Sequence, residues 1–340
     1  CNQACLDHIF IGKAASCLVN PDACREYEPA PPASSAARNV AVVGAGPAGL
    51  AAATTLAERG HRVSLFDAAE HIGGQFNYAR RIPGKEDFAE TLRYFRTRLR
   101  ELNVTQQLGR TVQAGDLAGY DHVVLATGII PRRPPIPGLD HPKVVSYIDV
   151  IEGRRPVGRK VALIGAGGIG FDVAELLTHS GESADPITAY REEWGIDAAY
   201  TDNRGGLTPA RMPTPKRELW LLQRKTSKPG AGLAKTTGWA RSLLLKKRGV
   251  HMLSGVEYEG IDDAGLHVRV DGQARLLEVD TVVLCAGQEP RRDLVEGLQD
   301  DALALAHLLH ADEVAVEVVA VRADRDHEVG IGRAGAAPEP

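Results

Sequence analysis

A strand, a glycine-rich turn and a helix occur in the same order twice, and this repeat constrains the chain more than any other feature. Residues 39–43, Asn-Val-Ala-Val-Val, form an apolar, β-branched run that reads as a buried parallel strand. The run leads directly into Gly44-Ala45-Gly46-Pro47-Ala48-Gly49, and residues 50–58 read as a helix. Gly44 permits the tight turn, Gly46 lets a pyrophosphate approach the backbone, and Gly49 allows helix and strand to pack closely. The amide-rich helix end then faces the phosphates. A second strand, residues 62–66, ends at Asp67. Its distance from Gly44 is close to the ~20-residue spacing at which an acid accepts a hydrogen bond from a ribose hydroxyl.

The pattern returns further along, where the strand at 160–164 runs into Gly165-Ala166-Gly167-Gly168-Ile169-Gly170 and a helix extending to Leu177. Each repeat also has a later apolar strand that closes on a small-residue turn, at Thr127-Gly128 and at Ala286-Gly287. The stretch from fingerprint to turn runs from Gly44 to Gly128 in the first repeat and, longer, from Gly165 to Gly287 in the second. The excess fits the Pro/Gly-rich stretch 181–217. Placing all of it there puts the counterpart of Asp67 near residue 226. The strand at 218–222 ends in Gln223-Arg224-Lys225, cations where an NAD site would carry a carboxylate, so a nucleotide with a 2′-phosphate is expected. Two solvated loop charges are the plainer alternative. The loop Gly230–Trp239 either closes on the nucleotide or simply leads into a helix at 240–247. Gly287-Gln288-Glu289-Pro290 and Ser146-Tyr147 are expected to be the two strands that cross between the repeats.

Composition narrows the partners. The 340 residues carry a net charge of −4, which gives no footprint for nucleic acid or an anionic membrane. No apolar run approaches the ~18 residues of a membrane span. Four of the five cysteines, Cys1, Cys5, Cys17 and Cys24, fall in the first 24 residues, whereas Cys285 lies in an apolar strand. Clustered thiols suit a soft metal or an iron–sulfur cluster, and free surface thiols are the alternative. A chain that opens on Cys1 is expected to be a piece of something longer.

Several motifs resemble the bacterial NADPH-dependent 2,4-dienoyl-CoA reductases, Old Yellow Enzyme-like iron–sulfur flavoenzymes that are similar to trimethylamine dehydrogenase. They are Cys1-Asn-Gln-Ala-Cys5-Leu-Asp-His-Ile-Phe10, Ser16-Cys17-Leu-Val-Asn-Pro21, Ile72-Gly-Gly-Gln75-Phe76 and Ile82-Pro-Gly-Lys85. Gly168-Ile-Gly-Phe-Asp172, Glu193-Trp-Gly-Ile-Asp197, Leu222-Gln-Arg-Lys225 and Cys285-Ala-Gly-Gln-Glu-Pro290 extend the series. The resemblance implies two nested Rossmann-like α/β domains of the glutathione-reductase kind. A cluster-bearing linker would span 1–35, an FAD-binding domain 36–153 plus 286–340, and an NADPH-binding domain 154–285. It implies a [4Fe–4S] cluster with Cys1, Cys5 and Cys17 among its ligands, and Cys24 outside it. FAD would be met by Gly44, Gly46, Ala48, Gly49, Asp67, Gln75, Lys85, Val112, Thr127 and Gly128. NADPH would be met by Gly165, Gly167, Gly168, Ile169, Gly170, Arg224 and Lys225.

The same resemblance implies that FMN, the dienoyl-CoA and its proton donors belong to a TIM barrel outside this sequence. Electrons from NADPH would reach that barrel through FAD and the cluster, in a cytoplasmic enzyme of unsaturated fatty-acid β-oxidation. Near the carboxyl end Leu309-His-Ala-Asp312 replaces the family's glycine turn, and only Glu317, Ala320, Arg322 and Ala323 echo the helix that follows it. Two rival readings remain at this level: an amine-dehydrogenase-like flavoprotein of the same lineage, and a non-catalytic nucleotide-binding or electron-transfer module.

Overall fold

The computed structural model describes residues 5–17, 20, 23–29, 32–181, 185–200, 206–297, 303–310 and 314–322, the backbone alone from 296 onward. The chain divides into two compact units, each assembled from separate stretches of sequence.

The first unit comprises Arg25–Arg80, Glu86–Ile130 and Gln288–Pro340. Strand β1 (Asn39–Val43) leads through the first fingerprint into α2 (Pro47–Glu58), then β2 (Arg62–Phe66), α3 (Phe76–Ala79), α4 (Phe88–Glu101), β3 (Thr105–Gln107) and β4 (His122–Leu125). Strands β1, β2, β3 and β4 pair in parallel, in the order β4-β1-β2-β3. After β1's first residue every side chain is buried, which is why its sequence is continuously apolar rather than alternating. On one side Leu50 and Ala53 of α2 and Leu99 of α4 pack with Val42 and Leu65; on the other Val43 and Phe66 meet Val123, Leu125 and Leu117. A hairpin of β15 (Leu303–His310) and β16 (Val314–Arg322) extends the sheet, with β16 antiparallel to β4. Residues 317–322 are therefore strand, not the helix expected there. The run Val314-Ala-Val-Glu-Val-Val-Ala-Val321 is dense in β-branched residues, which favours pairing over helix.

The second unit comprises Cys1–Cys24, Arg81–Lys85 and Pro131–Gly287. It opens with the short helix α1 (Leu6–Phe10) and continues with β6 (Val144–Ser146), α5 (Tyr147–Glu152), β7 (Lys160–Ile164), α6 (Gly168–Thr178) and α7 (Pro186–Trp194). Then come β8 (Glu218–Leu222), α8 (Gly238–Lys247), β9 (His251–Leu253) and β13 (Thr281–Leu284). Its sheet is parallel throughout, in the order β6-β13-β7-β8-β9. The three antiparallel strands β10 (Glu257–Ile261), β11 (Leu266–Val270) and β12 (Gln273–Leu277) form a separate sheet over a core that includes Val256, Leu222 and Val282.

The chain passes from one unit to the other along a two-stranded ladder, β5 (Ile129–Pro131) with β14 (Gln288–Pro290). The expectation that Ser146-Tyr147 is one of the two crossing strands is thus corrected to Ile129–Pro131. Val144–Ser146 is hydrogen-bonded to β13 instead, and Ser146 caps α5 by accepting from the Asp149 N–H at 3.1 Å. For the same reason residues 131–153 belong with the second fingerprint, although the sequence places the boundary at 153/154. A further helix, α9 (Asp293–Gly297), follows β14.

Candidate functional site

Both fingerprints fold into the same backbone cradle, and the glycines explain why. Gly44 has φ +111°, and a Cβ there would stand 2.1 Å from the Ala126 carbonyl oxygen. Gly165 has φ +114° and would meet the Cys285 carbonyl oxygen at 2.2 Å. A Cβ on Gly49 would lie 1.8 Å from the Gly44 oxygen, and one on Gly170 1.9 Å from the Gly165 oxygen. Any side chain at these four positions displaces backbone. Gly46 differs, since an added Cβ meets only the Gly74 Cα, at 3.9 Å. The space above Gly46 is therefore open, as close approach of a pyrophosphate requires.

The hydrogen bonds around the two turns correspond pair by pair. Gly44 N–H donates to Phe66 O at 2.7 Å and Gly165 N–H to Leu222 O at 2.8 Å. Ala126 N–H donates to Val43 O, and Cys285 N–H to Ile164 O, both at 2.8 Å. In each unit the fingerprint thus sits at the carboxyl ends of the two central strands, where open α/β sheets bind ligands. Ala48 and Gly49 lie in the first turn of α2, and Gly168, Ile169 and Gly170 in that of α6. The Ile72-Gly73-Gly74-Gln75 loop backs the first cradle, with Gly73 N–H donating to Ala45 O at 2.7 Å.

The residue after each second strand sets the contrast. Asp67 Oδ2 accepts from Ala45 N–H at 2.6 Å and its Oδ1 from Ala69 N–H at 2.7 Å, which fixes the carboxylate at the fingerprint turn. Its counterpart is Gln223, because β8 ends at Leu222 as β2 ends at Phe66. The expected position near 226 is corrected to 223, since part of the second repeat's extra length lies after β8. Gln223 Nε2 donates to Lys225 O at 3.1 Å and also to Ser227 O, so its side chain folds the 223–227 turn. Arg224 and Lys225 are exposed, and neither forms a salt bridge among the described residues. Burial pushes the Tyr258 hydroxyl pKa upward, and the Arg224 charge opposes that rise.

The remaining expected residues are spread more widely. Thr127 Oγ1 donates to Arg291 O at 2.8 Å, and Gly128 O accepts from Arg291 N–H at 2.9 Å. The Val112 side chain is buried in the same core cluster as Val43 and Phe66. Lys85 Nζ donates to both oxygens of Asp172, at 2.7 and 2.8 Å. Asp172 also accepts from Arg241 Nη2, and Arg241 reaches Glu175 Oε2 at 3.2 Å. Sequence reasoning misses this ion-pair network, although Asp172, close behind the fingerprint, is a visible signal. Cys285, behind the second turn, has its thiol pKa pushed upward by burial.

Cys5 and Cys24 are exposed, Cys17 is half-buried, and none of them forms a disulfide. Cys17 Sγ accepts from Asn20 N–H at 3.4 Å. Cys1 lies outside the described residues, and among the described residues no group of three or more His, Cys, Asp or Glu comes together to hold a metal. Likewise, among them no helix is long and apolar enough to cross a membrane.

Two sheets with parallel central strands and matching glycine cradles, an acid beside one and cations beside the other, define a flavin- and nicotinamide-dinucleotide-dependent oxidoreductase fold. The sequence pattern of the pyridine nucleotide-disulphide oxidoreductases matches residues 38–313, and the chain belongs to that family. It is 32% identical over 317 residues to a metal reductase of Desulforamulus reducens, across 88% of this chain and 45% of that protein. A cinnamate reductase of Clostridium sporogenes is 33% identical over 189 residues, 54% of this chain and 27% of the relative. Among solved structures, a 2-naphthoyl-CoA reductase in complex with 2-naphthoyl-CoA aligns with a TM-score of 0.71 and 26% identity. That alignment covers 87% of this chain and 40% of the other. The chain therefore spans less than half the length of these relatives.

Proposed function

We propose that this chain is the electron-input portion of an NADPH-dependent 2,4-dienoyl-CoA reductase. In this reading the first cradle holds FAD and the second holds NADPH. The observation that carries the reading is the contrast between Asp67 and the Gln223-Arg224-Lys225 turn on otherwise matching cradles. A carboxylate pairs well with a ribose diol and repels a 2′-phosphate. A neutral glutamine flanked by two exposed cations has the opposite preference.

The substrate class rests on the motif series and on relatives named for reducing conjugated acyl groups, 2-naphthoyl-CoA and cinnamate. The proposed site residues divide by task. Gly44, Gly46, Ala48 and Gly49 hold one pyrophosphate, and Gly165, Gly167, Gly168, Ile169 and Gly170 the other. Asp67 accepts from a ribose, Gln75, Lys85, Val112, Thr127 and Gly128 border the flavin, and Arg224 with Lys225 receives the 2′-phosphate. Cys1, Cys5 and Cys17 are proposed ligands of a [4Fe–4S] cluster, for which the Asn20 N–H on Cys17 Sγ is apt, since such bonds tune a thiolate's electron density. Bound FAD would supply hydride acceptance and the cluster one-electron relay; the chain supplies placement and a surface that admits the nucleotides.

The test uses the purified chain reconstituted with FAD. NADPH-dependent reduction of ferricyanide is expected at a kcat/KM at least tenfold above that with NADH, with no turnover of a dienoyl-CoA until a barrel domain carrying FMN is added. Equal use of NADH and NADPH, or dienoyl-CoA turnover by the chain alone, overturns the reading. Once the fourth cysteine ligand that the resemblance places three residues upstream of Cys1 is restored, iron content should fall on Cys17→Ala and persist on Cys24→Ala.

A further inference from the structure

The cysteine-bearing start of the chain meets the loop before α8 inside the second unit. Asp7, on α1, is 9% exposed. Its Oδ1 accepts both the backbone N–H and the hydroxyl of Thr236, each at 2.9 Å. Its Oδ2 is buried with no hydrogen-bond partner among the described residues. A half-satisfied buried carboxylate opposes folding, so an apolar residue would be better here unless the acid holds something in place. What it holds is Thr236.

Thr236 stands near the end of a loop that runs along the second fingerprint helix. At the loop's start Gly230 has φ +80°, and a Cβ there would stand 2.6 Å from Phe171 Cζ. Leu233 packs against the core that contains Phe171, as does Ile169 of the fingerprint. Past the loop, α8 carries Arg241, whose guanidinium lies 6.0 Å from the Phe171 ring centroid and pairs with Asp172 and Glu175. The loop is thus fixed to α6 at its start and to Asp7 near its end. Between these points Lys235 is exposed and forms no salt bridge among the described residues.

We propose that Asp7 is a positioning residue for the second nucleotide site: its carboxylate holds the Thr236 end of the loop, and with it Lys235, beside the fingerprint. The proposal deepens the NADPH reading above and rests on it. It makes the cysteine-bearing segment part of the frame of the nucleotide site. By thermodynamic linkage, nucleotide binding then steadies that segment as much as the segment assists binding.

The experiment compares Asp7→Ala, Asp7→Asn, Thr236→Val and Thr236→Ser in the FAD-reconstituted chain, by NADPH titration and by ferricyanide kinetics. Asp7→Ala and Thr236→Val are expected to raise the NADPH Kd and KM three- to tenfold, with kcat at saturation within twofold of the parent. Asp7→Asn keeps the acceptor and Thr236→Ser keeps both donors, so both should restore binding to within twofold. NADPH should also slow tryptic cleavage at Lys13 in the parent and not in Asp7→Ala. Should Asp7→Ala fail to fold, Thr236→Val decides, because it removes a single hydroxyl and keeps the backbone bond. Variants that melt earlier yet bind NADPH like the parent overturn the proposal. A parent chain that binds no NADPH overturns the nucleotide reading itself, so the two failures are distinct.

Discussion

Set side by side, the two cradles agree in backbone and part company in side chains. Their first glycines have φ +111° and +114°, and the carbonyl behind each lies 2.1 or 2.2 Å from where a Cβ would be. Immediately after matching strand ends, one cradle has a carboxylate bonded to Ala45 N–H and the other a glutamine folded into its own turn. The backbone is therefore common to both cradles, and under the proposed reading the residues after the second strand are what would discriminate between dinucleotides. Close packing tolerates no variation in the first; the second faces solvent and is free to diverge.

The sharpest way to break this comparison is to fill one cradle at a time. Gly49→Val should give protein without flavin, and Gly170→Val protein that keeps flavin and loses NADPH, each with affinity reduced more than a hundredfold. Flavin absorbance after purification and NADPH titration read the two arms. If either change abolishes both ligands, the cradles are not independent. A smaller effect tests the divergent side chains. Arg224→Ala with Lys225→Ala should weaken NADPH about tenfold, about 1.4 kcal/mol, and leave NADH within twofold; adding Gln223→Asp should then favour NADH. Equal losses for both nucleotides would remove the assignment of these cations. The smallest effect concerns Cys285, which stands where the first cradle has Ala126. Cys285→Ala copies the first cradle into the second and should lower stability by no more than about 1 kcal/mol, without altering NADPH affinity. Because burial raises its thiol pKa, Cys285 should resist alkylation at pH 8 while the exposed Cys5 and Cys24 react in the iron-free chain. Rapid labelling of all three would show that the second sheet opens readily.

Sequence reading succeeds where one local rule decides the outcome. Strands β1, β2, β7 and β8 are bounded in the structure as the sequence pattern bounds them, since each is a mainly apolar run followed by a glycine or a polar residue, Gly44, Asp67, Gly165 and Gln223. It fails where partners distant in sequence decide. Ser146 reads as part of a crossing strand because nothing local says that Val144–Ser146 pairs with β13, which begins only at Thr281. The counterpart of Asp67 is displaced because residue counting cannot divide an insertion between two sides of a strand. The tie between Asp7 and Thr236 links residues 229 apart in sequence and leaves no local pattern at either. Candidate site residues on the glycine turns are legible from steric necessity, whereas the network of Lys85, Asp172 and Arg241 exists only once three separate elements pack.

The nesting of the units also has a consequence for the order in which a ribosome can finish them. Strand β4 has β1 on one side and β16 on the other. It ends at Leu125, yet β16 begins only at Val314. At about 5–20 residues per second, β4 remains an open edge for about 10–40 s of synthesis. The second unit needs nothing beyond Gly287, so it completes while the first still lacks its last strands. Of the two fingerprint-bearing sheets, the one whose fingerprint is made first is closed last.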